Sequence, residues 1–271
     1  MICENCSHNC DLAEGQTGLC HARSCRDDKI VCDNYGHVTS LALDPIEKKP
    51  LAMFMPGSKI LSVGSYGCNM RCMWCQNDSI SRGYVPSDTL TPAELVNIAL
   101  DTRGRGNIGI AYTYNEPSVG YEFVLDAAGL AKDNGLVNVS VSNGMLERGR
   151  FNELASYMDA YNIDIKSGSD EKYRTIGGDL ALIKDNITCA VSLGKHVELT
   201  TLVVPGFNDD DEDFASIVSF IASVDRKIPF HITRFFPAGD MRDAYPTDLG
   251  VLYGFRDMAK QTLENVFLGN V

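Results

Sequence analysis

Three cysteines in one short loop are the residues of this sequence with the clearest chemistry. Cys68, Cys72 and Cys75 have the spacing C-x3-C-x2-C within residues 67–77, which we call the cysteine loop. Three thiolates can hold three irons of a [4Fe–4S] cluster, which leaves the fourth iron open to a small molecule. The alternative is a zinc knuckle completed by a distant ligand, although zinc sites usually contain two C-x2–4-C pairs. The spacing favours an iron–sulfur cluster at which a reaction takes place.

A second group of cysteines lies at the start of the chain. Six of the ten cysteines fall within the first 32 residues, where the sequence is polar and lacks apolar periodicity. We predict that residues 1–35 form a Cys-rich metal-binding extension and that residues 36–271 form the main domain. The candidate ligands of this second metal site are Cys3, Cys6, Cys10 and Cys20. Their spacing leaves zinc, a second iron–sulfur cluster and no metal as open alternatives.

The composition is that of an ordinary globular protein. The chain has 271 residues, of which 44% are hydrophobic and 22% are charged. Its net charge of −12 disfavours nucleic acid and anionic membranes as partners, because both are bound by dense positive charge. No apolar run is long enough to span a membrane, and the first residues lack a signal-peptide pattern. We therefore expect a cytoplasmic protein whose cysteines are metal ligands or free thiols rather than disulfides.

Apolar, β-rich runs alternate with helical stretches from about residue 60 onward. The predicted strands are 60–65, 109–114, 137–142, 161–166, 197–204 and 230–236. The predicted helices are 91–103, 117–134, 147–157, 179–194, 210–225 and 247–264. Such an alternation indicates an α/β fold with parallel strands and right-handed crossovers. An open doubly wound sheet and an incomplete barrel both fit, and in either fold ligands bind at the carboxyl ends of strands.

Polar residues at the ends of two predicted strands are candidate site residues. Asn115 and Glu116 follow the second strand, and Ser142 and Asn143 end the third. Glu116 could instead stabilise the start of the next helix through its dipole. Asn143 followed by glycine is equally typical of an ordinary turn.

Charged residues mark the ends of later strands. Asp164 and Lys166 face the same side of the fourth strand because side chains alternate, so they either pair with each other or bind a zwitterion. His231 and Arg234 lie on opposite faces of the last predicted strand and are candidate substrate contacts. A histidine held in the core is the alternative for His231.

The cysteine loop, with Trp74 just before its third cysteine, resembles the cluster loop of radical S-adenosylmethionine (SAM) enzymes. The resemblance implies a partial (β/α)6 barrel with the cluster loop after the first strand. It also implies a [4Fe–4S] cluster whose open iron binds the amino and carboxylate groups of SAM. A donor such as flavodoxin or ferredoxin would supply an electron. SAM cleavage would then yield a 5′-deoxyadenosyl radical that takes hydrogen from an unidentified substrate, either a small molecule or a partner protein.

The same resemblance implies which residues contact SAM. They are Trp74, Asn115, Glu116, Ser142, Asn143, Asp164 and Thr200. Trp74 would pack near the adenine, and Glu116 would bind the ammonium group. Two positions differ from those of the glycyl-radical activating enzymes, radical-SAM enzymes that these strand ends also resemble: Val141 stands where they have Asp, and Thr200 stands where they have Arg.

Further residues indicate which group of radical-SAM enzymes the chain resembles. The segments 44–51, 54–58 and 75–77, with Arg234-Phe235-Phe236-Pro237, resemble the radical-SAM component of the AmmeMemoRadiSam system. That group is related to pyruvate formate-lyase (glycyl-radical enzyme) activating enzymes, which implies a second possible activity: generation of a glycyl radical on a pyruvate formate-lyase-like partner. Many members also have a C-terminal cysteine pair, which this sequence does not contain. A non-enzymatic iron–sulfur or zinc protein is the remaining alternative.

Overall fold

An open sheet of eight strands organises the structure. The computed structural model describes residues 1–271. The strands are β1 Ser40–Pro45, β2 Lys59–Gly64, β3 Asn107–Tyr112, β4 Val137–Ser142, β5 Ala160–Asp164, β6 His196–Val203, β7 Phe230–Arg234 and β8 Val266–Gly269. Their order in the sheet follows the chain, and β2 to β8 are parallel whereas β1 is antiparallel to β2. The edge strands β1 and β8 do not pair with each other.

Helices connect the parallel strands, as the alternation predicts. They are α1 Asp78–Ser81, α2 Pro92–Asp101, α3 Tyr121–Asp133, α4 Arg148–Ala155, α5 Asp170–Thr175, α6 Leu180–Ser192, α7 Asp211–Val224 and α8 Leu249–Lys260. Thr91 is the N-cap of helix α2, and its hydroxyl accepts a bond from the amide of Glu94 in a capping box. None of these helices combines the length and the apolarity that a membrane crossing requires.

The predicted α/β fold with a parallel sheet is confirmed, and the sheet has two strands more than predicted. The six predicted strands agree with β2 to β7 within about two residues at each end. The additional strands are β1 and β8. Both consist mostly of half-buried residues, so neither shows the buried apolar run that identifies a central parallel strand.

The cysteine-rich residues 1–35 pack against the main sheet. Their regular structure consists of two short antiparallel pairs, Ile2–Cys3 with Cys10–Asp11 and Arg23–Arg26 with Lys29–Cys32. Arg23 is buried and forms an ion pair of 2.6 Å with Glu122 at the start of α3. The amide of Cys68 donates to the carbonyl of Cys20 at 3.2 Å. The extension therefore lies directly against the cysteine loop, and its status as a separate domain stays a prediction.

Residues 45–54, which we call the floor segment, cross the base of the inner face of the sheet. Two fully buried side chains of this segment, Ile46 and Leu51, share an apolar cluster with residues of four strands. Those residues are Ile60, Ala111, Val139 and Ala160. The carbonyl of Pro50 also accepts a bond of 2.7 Å from the Asn162 side chain on β5. Strands β2 to β5 thus surround the floor segment, which closes the interior at this end.

Glu198 on β6 anchors the floor segment. Its carboxylate accepts bonds from the amides of Ala52 at 2.9 Å and Met53 at 2.8 Å. The rings of His196 and His231 lie 2.8 and 2.6 Å from the same carboxylate. Burial alone raises the pKa of Glu198, but these four partners outweigh it and lower the pKa to about 2. Glu198 is therefore ionised at neutral pH although its side chain is fully buried.

The Glu198→Gln variant tests this anchor. It keeps the shape of the side chain but removes the charge, so we expect the free energy of unfolding at pH 7 to fall by about 2 kcal/mol. The folded-state pKa lies below the ordinary value of 4.5, so the carboxylate stabilises the fold above that pH. This stabilisation is lost as the pH falls toward 2. The difference between the two proteins, measured by urea unfolding, should shrink over the same range.

The exposed Glu264 provides the matched control. Glu264→Gln should change the free energy of unfolding by less than about 0.5 kcal/mol. A Glu198→Gln deficit that stays constant between pH 4.5 and 2 would contradict the assignment of a depressed pKa to Glu198.

Candidate active site

A cavity of about 370 Å³ opens at the carboxyl ends of the central strands. Residues at or just beyond the ends of five strands line it. They include Cys68 after β2, Thr113 after β3, Ser142 on β4, Asp164 on β5 and Leu202 on β6. The position agrees with the rule that ligands bind at this edge of a parallel sheet.

The cysteine loop forms one wall of the cavity and brings all three of its cysteines to it. Its backbone turns sharply at Gly67, which has a φ of 91°. A Cβ atom there would lie 2.6 Å from the carbonyl oxygen of Cys20, so only glycine fits. Later in the loop, the amide of Arg71 donates to the carbonyl of Ile176 at 2.8 Å. Contacts from both sides therefore hold the three cysteines on one wall.

The donors of this wall fit an iron–sulfur cluster. Burial raises the pKa of the Cys68 and Cys72 thiols, so their thiolates need positive charge nearby, and the irons of a cluster supply it. Three cysteines of one loop are the ligand set that a [4Fe–4S] cluster needs at three of its irons, whereas a structural zinc ion would need a fourth ligand from elsewhere in the chain.

Glu116 joins the ends of two neighbouring strands beside the cysteines. Its carboxylate accepts bonds from the hydroxyl of Ser142 at 2.7 Å, the amide of Asn143 at 2.7 Å and the amide of Ser118 at 3.0 Å. Burial raises the pKa of Glu116, and these donors oppose that effect only in part. Glu116 lines the cavity, as does Ser142. A further cationic partner such as an ammonium group would compensate the buried charge.

Asn115 and Asn143 brace the cysteine loop. The Asn115 amide donates to the carbonyl of Gly67 at 3.1 Å. The Asn143 amide donates to the Asn69 side chain at 2.8 Å and lies 3.9 Å from the sulfur of Cys68. Both asparagines also line the cavity. The structure therefore gives each of them a positioning role toward the loop.

Asp164 and Lys166 form an ion pair at the cavity wall, with 2.7 Å between carboxylate and ammonium. Burial lowers the pKa of Lys166, but the charges of Asp164 and Cys72 outweigh it and raise the pKa above its ordinary value. The backbone amide of Lys166 also donates to the hydroxyl of Tyr173 at 2.7 Å. The structure thus places a fixed pair of opposite charges beside the cysteines.

Trp74 is buried in the wall of the cavity and packs against Phe207. Their ring centroids lie 4.4 Å apart. Trp74 belongs to the main hydrophobic core and also lines the cavity. The core role is therefore visible in the structure, and contact with an adenine stays a prediction.

Thr200 does not line the cavity. Its hydroxyl donates to the Asn162 side chain at 3.0 Å in the buried interior. Leu202, two residues further along β6 on the same face, lines the cavity instead. Thr200 thus lies below the residues that line the cavity, and its contact with SAM stays a prediction.

His231 and Arg234 are also placed away from the cavity. His231 lies against Glu198 at the floor segment, as the alternative of a core histidine proposed. Arg234 points to the other face of β7, where its side chain donates to the carbonyl of Thr247 at 2.9 Å. The structure does not bring these two residues to the cysteines, and substrate contact by either stays a prediction.

Several residues that line the cavity were missing from the predicted site, among them Lys48, Lys49, Tyr114 and Asn77. Lys48, Lys49 and Asn77 lie in segments that the sequence marked only by their resemblance to a family. Nothing in their local spacing indicates that they face the same space as Cys68.

Comparison with known proteins agrees with this geometry. The chain matches the Radical SAM superfamily over residues 62–218. It is 38% identical to the uncharacterized protein MJ0808 of Methanocaldococcus jannaschii, over 99% of this chain and 81% of that protein. It is 26% identical to the pyruvate formate-lyase-activating enzyme of Clostridium pasteurianum, over 61% of this chain and 72% of that enzyme.

Solved structures show the same fold at low sequence identity. A radical SAM methyltransferase from Sphaerobacter thermophilus has a TM-score of 0.60 at 15% identity, covering 80% of this chain and 67% of that chain. A domain of a pyruvate-formate lyase-activating enzyme from Bacteroides vulgatus has a TM-score of 0.52 at 18% identity, covering 60% of this chain and 99% of that chain. The predicted α/β fold of the radical-SAM type is confirmed.

The family match includes the whole cysteine loop and reaches from β2 into α7. Members of this family use a [4Fe–4S] cluster and SAM, and the cavity offers three cysteines for that cluster. The chain is therefore an enzyme rather than a non-enzymatic metal protein. It belongs to the radical SAM superfamily and is related to the pyruvate formate-lyase-activating enzymes.

Proposed function

We propose that this enzyme cleaves SAM reductively and uses the resulting radical to take a hydrogen atom from an organic substrate. The convergence of Cys68, Cys72 and Cys75 on one cavity with the Asp164–Lys166 ion pair supports this proposal. When bound, the reduced cluster supplies one electron, which breaks the 5′ carbon–sulfur bond of SAM to give methionine and a 5′-deoxyadenosyl radical. An external donor such as flavodoxin or ferredoxin provides that electron.

The residues of the cavity have separate roles in this proposal. The three cysteines hold the cluster. Glu116, buried with its charge only partly compensated, binds the ammonium group of SAM. Asp164 and Lys166 orient the zwitterionic end of SAM through their opposite charges. The buried walls exclude water from the radical.

The first prediction concerns SAM cleavage. The anaerobically reconstituted, dithionite-reduced protein should release 5′-deoxyadenosine and methionine from SAM, as measured by liquid chromatography. The Cys72→Ala variant should release only background amounts, because it lacks one cluster ligand. Cys189→Ala should behave like wild type, since the Cys189 thiol bonds to Asn152 away from the cavity. Absence of product from wild type with an intact cluster would refute the proposal.

A second prediction concerns the charge pair at the wall. The Asp164→Asn variant should bind SAM about tenfold more weakly while keeping its iron content, because a charged hydrogen-bonding group is lost. Equilibrium binding of SAM measures this change. Asp210→Asn is the matched control, because Asp210 pairs with Lys172 at 2.5 Å and caps α7, where asparagine caps equally well. Equal SAM affinity in wild type and Asp164→Asn would exclude the proposed role.

Generation of a glycyl radical on a partner protein is the second candidate activity. The 26% identity to pyruvate formate-lyase-activating enzymes supports it. The resemblance of residues 44–51 to the AmmeMemoRadiSam group supports a different substrate instead. A doublet electron-spin signal on a pyruvate formate-lyase-like partner, after incubation with the reduced enzyme and SAM, would identify the activating function.

We further propose that the N-terminal extension holds a second iron–sulfur cluster. The Cys20 thiol lies within electrostatic range of Cys3, Cys6 and Cys10, and Cys3 faces Cys10 across a strand pair. The C-x2-C-x3-C spacing of Cys3, Cys6 and Cys10 differs from the two C-x2–4-C pairs of a usual zinc site, which supports iron over zinc here.

Metal analysis tests this second site. Anaerobically reconstituted wild type should contain about four more irons per chain than the Cys6→Ala/Cys10→Ala double variant, because that variant cannot retain the cluster. Cys32→Ser serves as the control, since Cys32 lies in the extension but outside the proposed ligands. Stoichiometric zinc in wild type, or an unchanged iron content in the double variant, would contradict the proposal.

A further inference from the structure

The floor segment carries two lysines into the same cavity as the cysteines. Lys48 and Lys49 follow Asp44 within the family-like run of residues 44–51, and both line the cavity. Neither is needed to hold the cluster or SAM in the function proposed above. In a chain with a net charge of −12, two adjacent cations in the wall of a reaction cavity call for a separate explanation.

The charge around Lys49 is incompletely balanced. Its side chain is only 4% exposed and pairs with Asp44 at 3.0 Å. The same carboxylate also pairs with Lys48 at 3.3 Å and accepts the hydroxyl of Tyr114 at 2.9 Å. Asp44 thus pairs with two ammonium groups, although that of Lys48 is largely in solvent. Burial lowers the pKa of Lys49 more than its pairing with Asp44 raises it.

Lys49 also has hydrogen-bonding capacity to spare. An ammonium group carries three donors, and only the bond to Asp44 is formed within the chain. The ammonium lies 4.7 Å from the centre of the Tyr114 ring, which contributes a weak cation–π contact. A buried cation with unused donors at a cavity wall is chemically suited to an anionic ligand.

Tyr114 fixes Lys49 relative to the cysteine loop. Its backbone has a φ of 72°, which is rare for a residue other than glycine. Two bonds hold it there: its carbonyl accepts from the Asn77 side chain at 2.8 Å, and its hydroxyl donates to Asp44. Asn77, Tyr114, Asp44 and Lys49 therefore form a continuous chain of contacts from the cysteine loop to the floor segment. The anionic group and the reactive end of a ligand would thus be held at a set separation.

The sheet anchors the floor segment on both sides of Lys49. Ile46 and Leu51 are fully buried among strand residues, and Glu198 and Asn162 bind the backbone from Pro50 to Met53. The ammonium of Lys49 is therefore held at a fixed place in the cavity wall, next to Lys48, whose side chain is 66% exposed.

We propose that Lys49, assisted by Lys48, binds the carboxylate or phosphate group of a small-molecule substrate whose reacting carbon faces the cysteine loop. This inference rests on the proposed SAM cleavage and specifies its substrate class. Asp44 and Tyr114 are positioning residues that orient the ammonium of Lys49.

Anion binding to the reconstituted, SAM-loaded enzyme with its cluster oxidised tests the inference, because no turnover then occurs. Inorganic phosphate and acetate are titrated separately by isothermal calorimetry, and the better-bound probe identifies a phosphate or a carboxylate. Lys49→Met should weaken the binding of that probe at least about tenfold, through loss of a charge-assisted bond. Lys59→Met, at an exposed lysine that begins β2, should leave binding unchanged.

The Asp44→Asn variant should change the affinity for the anion in the opposite direction. Removing the competing carboxylate should tighten anion binding about threefold or more. If Lys49 and Asp44 form only a structural ion pair, both variants lose stability and neither alters the affinity for the anions. That result, or undiminished anion binding by Lys49→Met, overturns the inference. Should Lys49→Met fail to fold, the sign of the Asp44→Asn shift decides.

Release of 5′-deoxyadenosine from the reduced samples distinguishes failure of the proposed SAM cleavage from failure of the proposed anion binding by Lys49. Wild type that cleaves SAM but binds neither anion refutes the substrate class and leaves the proposed function standing. Wild type that cannot cleave SAM refutes the proposed function, whatever its affinity for anions. Stimulation of SAM cleavage by a glycine-containing peptide lacking acidic groups would also overturn the inference.

Discussion

The three cysteines lie in irregular backbone, so the buried polar groups of the cysteine loop must bond to distant parts of the chain. Asn115 bonds to Gly67, Asn143 bonds to Asn69, and the carbonyl of Cys20 accepts the amide of Cys68. These contacts come from the ends of β3 and β4 and from the N-terminal extension. The geometry of the cluster site therefore depends on the folding of three separate regions.

The same requirement explains why several polar residues of the site form hydrogen bonds to other parts of the chain. Glu116 accepts three bonds from the ends of neighbouring strands, and Asn115 bonds to the loop itself. Buried polar groups are costly unless they are paired, so a cavity lined with them must be internally bonded before any ligand arrives. Asp164 and Lys166 follow the same principle, because each neutralises the other beside the cysteines.

The floor segment, which carries Lys48 and Lys49 to the cavity, is held by a different balance of forces. Apolar packing of Ile46 and Leu51 holds the floor segment, and the buried charge of Glu198 fixes its backbone. The two ends of the cavity then differ in character: one is built for a metal cluster, and the other presents Lys49 with an incompletely balanced charge. Tyr114 connects them through Asn77 and Asp44.

The sequence by itself determined the alternation of strands and helices, the parallel sheet and the cysteine loop, because apolar periodicity and the spacing of loop ligands are local properties. It could not place His231 against Glu198, or Lys49 beside Tyr114. Those contacts join positions far apart in the chain, such as Ala52 and Glu198, which are separated by 146 residues. Only the tertiary structure decides them, because curvature of the sheet and the path of the floor segment select which interior side chains meet.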